Sequence, residues 1–227
     1  MKLLAVDTSS PAATAVVIGE NHILASYTVQ NGNTHSRYIM PMIADMLKKC
    51  GETVGSMDAF AVALGPGSFT GLRIGIATVK GFALAANKPV VGLSSLECAA
   101  NNLFLAENVL VCPIFDARHG NVYNALFENG ARRCDDRLIA MDALLAELAG
   151  QRTVFVGDGV PVYAAQITAA MGGNAILAPQ YRRNQCADAL AQLAYRRAAA
   201  GEFTDISALS AIYLRPSQAE REYADRH

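Results

Sequence analysis

Apolar residues along this chain follow two rhythms. The short runs LLAV (3–6), TAVVIG (14–19) and ILASYTV (23–29) are cut by DTSSP and by ENH (20–22), and they read as three successive strands. The period then changes: Ile39, Met42, Ile43, Met46 and Leu47 recur at helical spacing, Lys48 and Lys49 stand in the last turn, and Gly51 is a stop. Pro41 would cost about 3 kcal/mol in a helix interior, so this helix must start near Pro41 or kink there. AFAVAL (59–64) predicts a strand, followed by a glycine-rich loop, a helix over about 69–86, the strand PVVGL (89–93) and a third helix from Ser94.

The same order returns in the second half. VLVCPIF (109–115), VYNALFE (122–128) and the looser RRCDDRLIA (132–140) predict strands, ALLAELA a helix, and TVFVG (153–157) a strand. A helix near 161–171, the strand AILA (175–178) and the helix ADALAQLAYRRAAA (187–200) complete it. Asp7 and Asp116 each end the first strand of a half, and LGPG (64–67) and VGDG (156–159) each follow the fourth. The expected architecture is α/β, two βββαβαβα lobes spanning 1–105 and 106–227.

Composition narrows the class. Of 227 residues, 52% are hydrophobic and 17% charged, which suits a compact protein with a large core. A net charge of −1 argues against this chain gripping nucleic acid by itself. The five Cys are scattered with no CxxC, as in a reducing cytosol, and the four His form no HxxxH or HExxH, so no metal site is expected. The first apolar run stops at Asp7, too early for a signal peptide, and no uninterrupted apolar stretch approaches a membrane helix. A cytoplasmic protein without a membrane partner is expected.

The loop LGPGSFTGLRIG (64–75) resembles a phosphate cradle but fits no standard one. A Walker A loop would need Lys where Arg73 and its neighbours stand; the dinucleotide fingerprint needs a third glycine where Thr70 stands; a nucleophile elbow needs a residue between Gly67 and Ser68. In the helix that follows, Leu72, Ile76, Val79 and Ala83 form a sheet-facing stripe, while Gly71, Gly75, Thr78, Gly81 and Ala85 form a second, side-chain-poor face. Three glycines inside a helix cost about 2–3 kcal/mol. Either tight packing within the chain or a helix–helix contact with another subunit would offset that, and a phosphate at the helix N-terminus is compatible with both. Met40, Met42 and Met46 make the first helix adaptable at a contact, although core positions are the commoner use of methionine.

Taken together, LLAVDTSSPAATAVVI, THSRYIMPMI, AVALGPGSFTGLRIGIATVKGFALAANKPVVGLSSLE, FDARHGNVYNALFE and IYLRPSQAE resemble the TsaB (YeaZ) family. The resemblance spans residues 3 to 220 and implies the actin-like ATPase (ASKHA) fold with two ribonuclease-H-like lobes. It implies a non-catalytic role in making N6-threonylcarbamoyladenosine at position 37 of tRNAs that read ANN codons. The partners it implies are a TsaD-type catalytic paralogue and a TsaE-type ATPase, a homodimer when the paralogue is absent, and tRNA met only through the complex. The first two helices would form the interface, which names Thr34, His35, Ile39, Met42, Met46, Gly71, Arg73, Gly75, Thr78 and Gly81. The paralogue's HxxxH metal ligands fall on Ser95 and Ala99 here, neither of which can replace an imidazole.

Asp7, Thr8 and Ser9 occupy the first phosphate-loop position of that fold and Asp116 its second-lobe counterpart. They are candidates to face a nucleotide, with ordinary strand-ending turns as the alternative. No cofactor is expected to be required by the chain alone, and ATP or ADP is placed at the assembly interface. Ser68, His119 and Asp116 have no spacing that unites them as a hydrolase triad. Arg73 and Lys80 flank the small face, Arg215 is placed to return to the first lobe, and the charged tail SQAEREYADRH is expected to fray. The competing class is an actin-like enzyme with its own ATPase or kinase activity.

Overall fold

The computed structural model describes residues 1–20, 22–32, 34–103, 108–184 and 186–215. The first half runs β1 (Lys2–Asp7), β2 (Ala13–Gly19), β3 (His22–Val29), α1 (Ile39–Lys49), β4 (Ala59–Gly65), α2 (Phe69–Ala86), β5 (Val90–Ser94) and α3 (Ser95–Ala100). The second runs β6 (Leu110–Asp116), β7 (Asn121–Glu128), β8 (Ala131–Ala140), α4 (Met141–Glu147), β9 (Thr153–Val156), α5 (Gly159–Met171), β10 (Ala175–Leu177), α6 (Gln180–Arg183) and α7 (Ala187–Ala199). The strand orders are β3-β2-β1-β4-β5 and β10-β9-β6-β7-β8. One plan is therefore used twice: three antiparallel strands, then two parallel ones joined through helices. The boundary expected between residues 105 and 106 lies outside the described residues.

Both sheets are covered on both faces. Alternation sorts β1, with Leu4 and Val6 joining one core and Leu3 and Ala5 the other, all four fully buried. On the first face lie α1, through Ile39, Ile43 and Met46, and α2, through Leu72, Ile76, Val79 and Ala83. Pro41 is the third residue of α1, within the first turn, where no backbone N–H is needed, so the helix is not interrupted. Ser68 caps α2 by accepting the Gly71 N–H at 3.2 Å, and Asn87 ends it in a left-handed conformation. By length and composition α2 could cross a membrane, with mean hydropathy 1.3. Its apolar stripe instead lies on the first sheet, and Arg73 and Lys80 interrupt it.

The helices nearest the middle are exchanged between halves. α7 packs Leu190, Ala191, Leu193 and Ala194 against Leu3, Ala5, Val16 and Ile18 of the first sheet. α3 sends Leu96, Ala99 and Ala100 among Val111, Ala125 and Phe127 of the second. Polar bonds reinforce this crossing. Ser94 Oγ donates to Asp136 at 2.6 Å, and Glu97 accepts from Arg197 at 2.8 Å and from Arg132 at 3.3 Å. On its other face the second sheet packs against α4 and α5 through Leu144, Leu145, Val160 and Ile167.

Candidate functional site

Between the two sheets opens a cleft of about 1250 Å³, lined by the turn after β1, the loop before α2, the turn after β6 and the segment 212–215. Its first wall is built from residues 7–10. Asp7 Oδ1 accepts the Ser9 N–H at 2.8 Å, while Oδ2 is buried without a partner. Burial pushes the Asp7 carboxyl up, and the hydrogen bond from Ser9 opposes this only in part. Thr8 Oγ1 donates to the Gly71 carbonyl at 2.8 Å, and the Ser9 carbonyl accepts the Ser68 N–H at 2.7 Å. His35 holds the turn from its other side. Nε2 donates to the Ser10 carbonyl at 2.8 Å, so Nδ1 accepts from the Tyr38 hydroxyl at 2.7 Å in the neutral ring.

The glycines of α2 explain that wall. A Cβ on Gly71 would stand 2.0 Å from the Thr8 carbonyl oxygen, and one on Gly75 2.3 Å from Thr8 Oγ1. Only bare backbone lets α2 lie against the turn. Gly81 differs: among the described residues nothing within 4 Å would meet a Cβ there. It is exposed beside Ala77, Ala85 and Leu84, the last with 64% of its surface in solvent.

The second wall repeats the first in outline. Asp116 Oδ1 accepts the Arg118 N–H at 2.9 Å, the same i to i+2 turn that Asp7 makes with Ser9. It also accepts the Tyr163 hydroxyl at 3.1 Å, and the Asp116 N–H donates to Asp158 Oδ1 at 3.0 Å. The Asp158 carboxyl is pushed up to about 6 by burial, with the Asp116 charge adding to it.

These positions revise the expected interface. Ile39, Met42 and Met46 are buried in the core under α1, Gly71 and Gly75 under α2, and His35, although it lines the cleft, is largely covered by the turn it holds. They cannot present side chains to a partner. Thr34, Arg73 and Gly81 keep surface, and Thr78 is half-buried with its hydroxyl bonded to the Ile74 carbonyl at 2.8 Å. The exposed side of α1 is instead Met40, Pro41, Ala44, Asp45, Lys48 and Lys49.

The nucleotide-facing candidates are likewise drawn inward. Asp7 is 1% exposed and does not line the cleft, and Thr8 is engaged by α2, so this wall does not fit a metal-bound phosphate. Ser9 and Asp116 do line it. Among the described residues no three His, Cys, Asp or Glu side chains gather as a metal would require. Ser95 and Ala99 are buried in α3, away from the cleft lining. Ser68 is occupied as a helix cap and Asp116 by Arg118 and Tyr163, so neither is bonded to His119.

Two groups were not singled out as site residues from the sequence. Asp158 is visible in the sequence only as part of the VGDG echo, and Tyr213 only as part of the motif IYLRPSQAE. The chain end does come back to the first lobe, where the Ile212 N–H donates to the Leu64 carbonyl at 2.7 Å, and from there Arg215 Nη1 donates to the Ala117 carbonyl of the second at 2.6 Å. The tail beyond residue 215 lies outside the described residues.

Comparison with known proteins agrees with this geometry. The family model for TsaD, tRNA N6-adenosine threonylcarbamoyltransferase, matches residues 23–222. The chain is 29% identical to the Bacillus subtilis tRNA threonylcarbamoyladenosine biosynthesis protein TsaB over 99% of both chains. The solved structure of YeaZ from Pseudomonas aeruginosa superposes with a TM-score of 0.77 at 27% identity, covering 94% of this chain and 99% of that one. The activator of 2-hydroxyisocaproyl-CoA dehydratase from Clostridium difficile with bound ADPNP shares the fold at a TM-score of 0.54 and 13% identity, over 89% of this chain and 97% of that one. The twin sheets are thus those of the actin-like ATPase fold, and the chain belongs to the TsaD tRNA N6-adenosine threonylcarbamoyltransferase family, within its TsaB (YeaZ) group.

Proposed function

We propose that this chain acts in the biosynthesis of N6-threonylcarbamoyladenosine at position 37 of ANN-reading tRNAs, as the non-catalytic partner of a TsaD-type paralogue. The observation that carries the docking half of this reading is Gly81. Close packing within the chain accounts for Gly71 and Gly75, but Gly81 costs about 1 kcal/mol inside α2 with nothing to accommodate among the described residues. Together with Ala77, Leu84 and Ala85 it forms a smooth apolar strip suited to a second helix at short range. The strip and the outer side of α1 flank one another on the same face of the first sheet. The paralogue takes this surface, and a second copy of the chain takes it when the paralogue is absent.

The chemistry of three buried positions supports the non-catalytic half. Ser95 and Ala99 supply no metal ligand, and Asp7 faces inward. This reading therefore puts ATP or ADP at the assembly interface with the TsaE-type ATPase, not on Asp7 and Thr8. tRNA is reached through the complex, in keeping with a net charge of −1. An enzyme with its own ATPase or kinase activity would need Asp116 and Asp158 to act on a nucleotide in the cleft. ATP hydrolysis by the isolated chain, abolished by Asp116→Asn, is the result that would favour it.

The decisive experiment is threonylcarbamoyl transfer to tRNA by the paralogue and the other pathway components, with and without this chain. Transfer is expected only when both proteins are present and none when this chain replaces the paralogue. Gly81→Leu should keep the fold, because the site is open, and should abolish paralogue binding in a pull-down. Undiminished binding by a folded Gly81→Leu would remove the docking surface from the proposal.

A further inference from the structure

Beyond α7 the chain runs back along the first sheet and then crosses the cleft. Thr204 is its first anchor, donating its N–H to the Val90 carbonyl at 2.7 Å and accepting the Gly92 N–H on its hydroxyl at 3.0 Å. Leu209, 3% exposed, plugs into the core beside β4 and α2. The Ile212 N–H then donates to the Leu64 carbonyl at 2.7 Å. Gly65 makes room for this: its φ is +120°, and a Cβ there would lie 2.7 Å from the Ile212 carbonyl oxygen.

Next, Tyr213 stacks on Phe69 in the first turn of α2, with ring centroids 4.7 Å apart. Arg73 locks the pair, with its guanidinium 3.9 Å from the centre of the Phe69 ring and its Nε donating to the Tyr213 hydroxyl at 3.0 Å. Two residues later, Arg215 reaches over to the Ala117 carbonyl, in the turn that begins with Asp116. Every earlier anchor described for this segment is on the first sheet or on α2, which packs against it. The last is on the second.

We infer that residues 212–215 form a latch across the front of the cleft, with Arg215 as its catch and the Phe69–Arg73–Tyr213 stack as its seat. The crossing of α3 and α7, tied by Glu97, Arg132 and Arg197, holds the back of the cleft together. Opening at the front then requires the Arg215 bond to break, while the Thr204, Leu209 and Ile212 anchors stay in place. The latch is a property of the isolated chain and does not depend on the docking surface proposed above.

Hydrogen exchange of the full chain, read by mass spectrometry without any partner, tests it. Arg215→Ala should speed exchange in 64–73 and 115–121 by about tenfold or more, the size expected for losing a hydrogen bond from a charged donor. Amides of β1 and of residues 122–128 in β7 should be unchanged. Arg215→Lys, which retains a donor, should give a smaller change, and Tyr213→Ala, which removes the seat but keeps the catch, should accelerate the same two segments. Unchanged exchange in those segments for both Arg215→Ala and Tyr213→Ala would overturn the latch. So would acceleration of all amides together, which marks a general loss of stability.

Discussion

The two sides of α2 carry the same residue for opposite reasons. Gly71 and Gly75 face the turn at Thr8, where a single methyl group would strike backbone or hydroxyl. Gly81, about 80–120° round the helix, faces open space. Read along the chain, the three form one small-residue stripe. In the folded molecule the inner pair is an internal joint and the outer one is left for something else. A small-residue stripe is therefore not a single feature, and each glycine has to be judged by what would meet its missing side chain.

The largest effect that tests this contrast is expected at the joint. Gly75→Leu should destabilise the chain by about 3 kcal/mol or more, because Thr8 is fixed by its bond to Gly71 and cannot retreat. Urea denaturation would read it. A near-neutral result would mean that α2 does not bear on the Thr8 turn. Gly75→Leu is for the same reason a poor probe of partner binding, since loss of binding would follow from loss of fold.

A smaller effect is expected at the opposite wall, where Asp158 is held up to about 6 by burial. The folded state keeps this proton in a range where the unfolded chain, at about 3.9, has released it. The contribution to stability is complete below about pH 4 and is lost as pH rises through about 6, a fall on the order of 2–3 kcal/mol. Asp158→Asn keeps an acceptor for the Asp116 N–H and should remove that fall, making the variant more stable than the parent at pH 7. Melting curves across pH 4 to 8 would show it, and parallel curves for the two proteins would refute it. Asp7 has the same sign, so Asp7→Asn should also gain stability at neutral pH.

The smallest effect belongs to the outer face. Gly81→Ala should stabilise the isolated chain by about 1 kcal/mol, since the new methyl meets nothing. Gly71→Ala should do the reverse. Opposite signs for one substitution on one helix would sharpen the contrast more than either value alone. Destabilisation at both sites would erase it.

Much of this molecule was legible in one dimension. Runs of apolar residues with period 2 marked the strands of both sheets, the i, i+3, i+4 spacing marked α1, and the repeated βββαβαβα order announced the duplication. Those signals are local, set by which face of an element must leave water. Even so, β6 came out one residue later than its apolar run and α5 two residues earlier than its helical pattern, because element ends fray and are set less sharply than interiors.

Other features depended on what approaches from far along the chain. That Met42 and Met46 are core, and Met40 surface, follows from which side of α1 meets the first sheet. That α3 serves the second sheet and α7 the first is a choice among apolar faces with similar patterns. Asp158 becomes a perturbed acid only when Asp116 and the cleft wall close around it. Tyr213 and Arg215 acquire partners 140 and 98 residues away. By itself the sequence determined the elements other than the single-turn α6, their order and the membership in a family, because burial periodicity and motif chemistry are written residue by residue. Only the tertiary structure decided which glycines are joints, which acids are buried and where the cleft is latched, because each of those is a distance between residues that the chain keeps far apart.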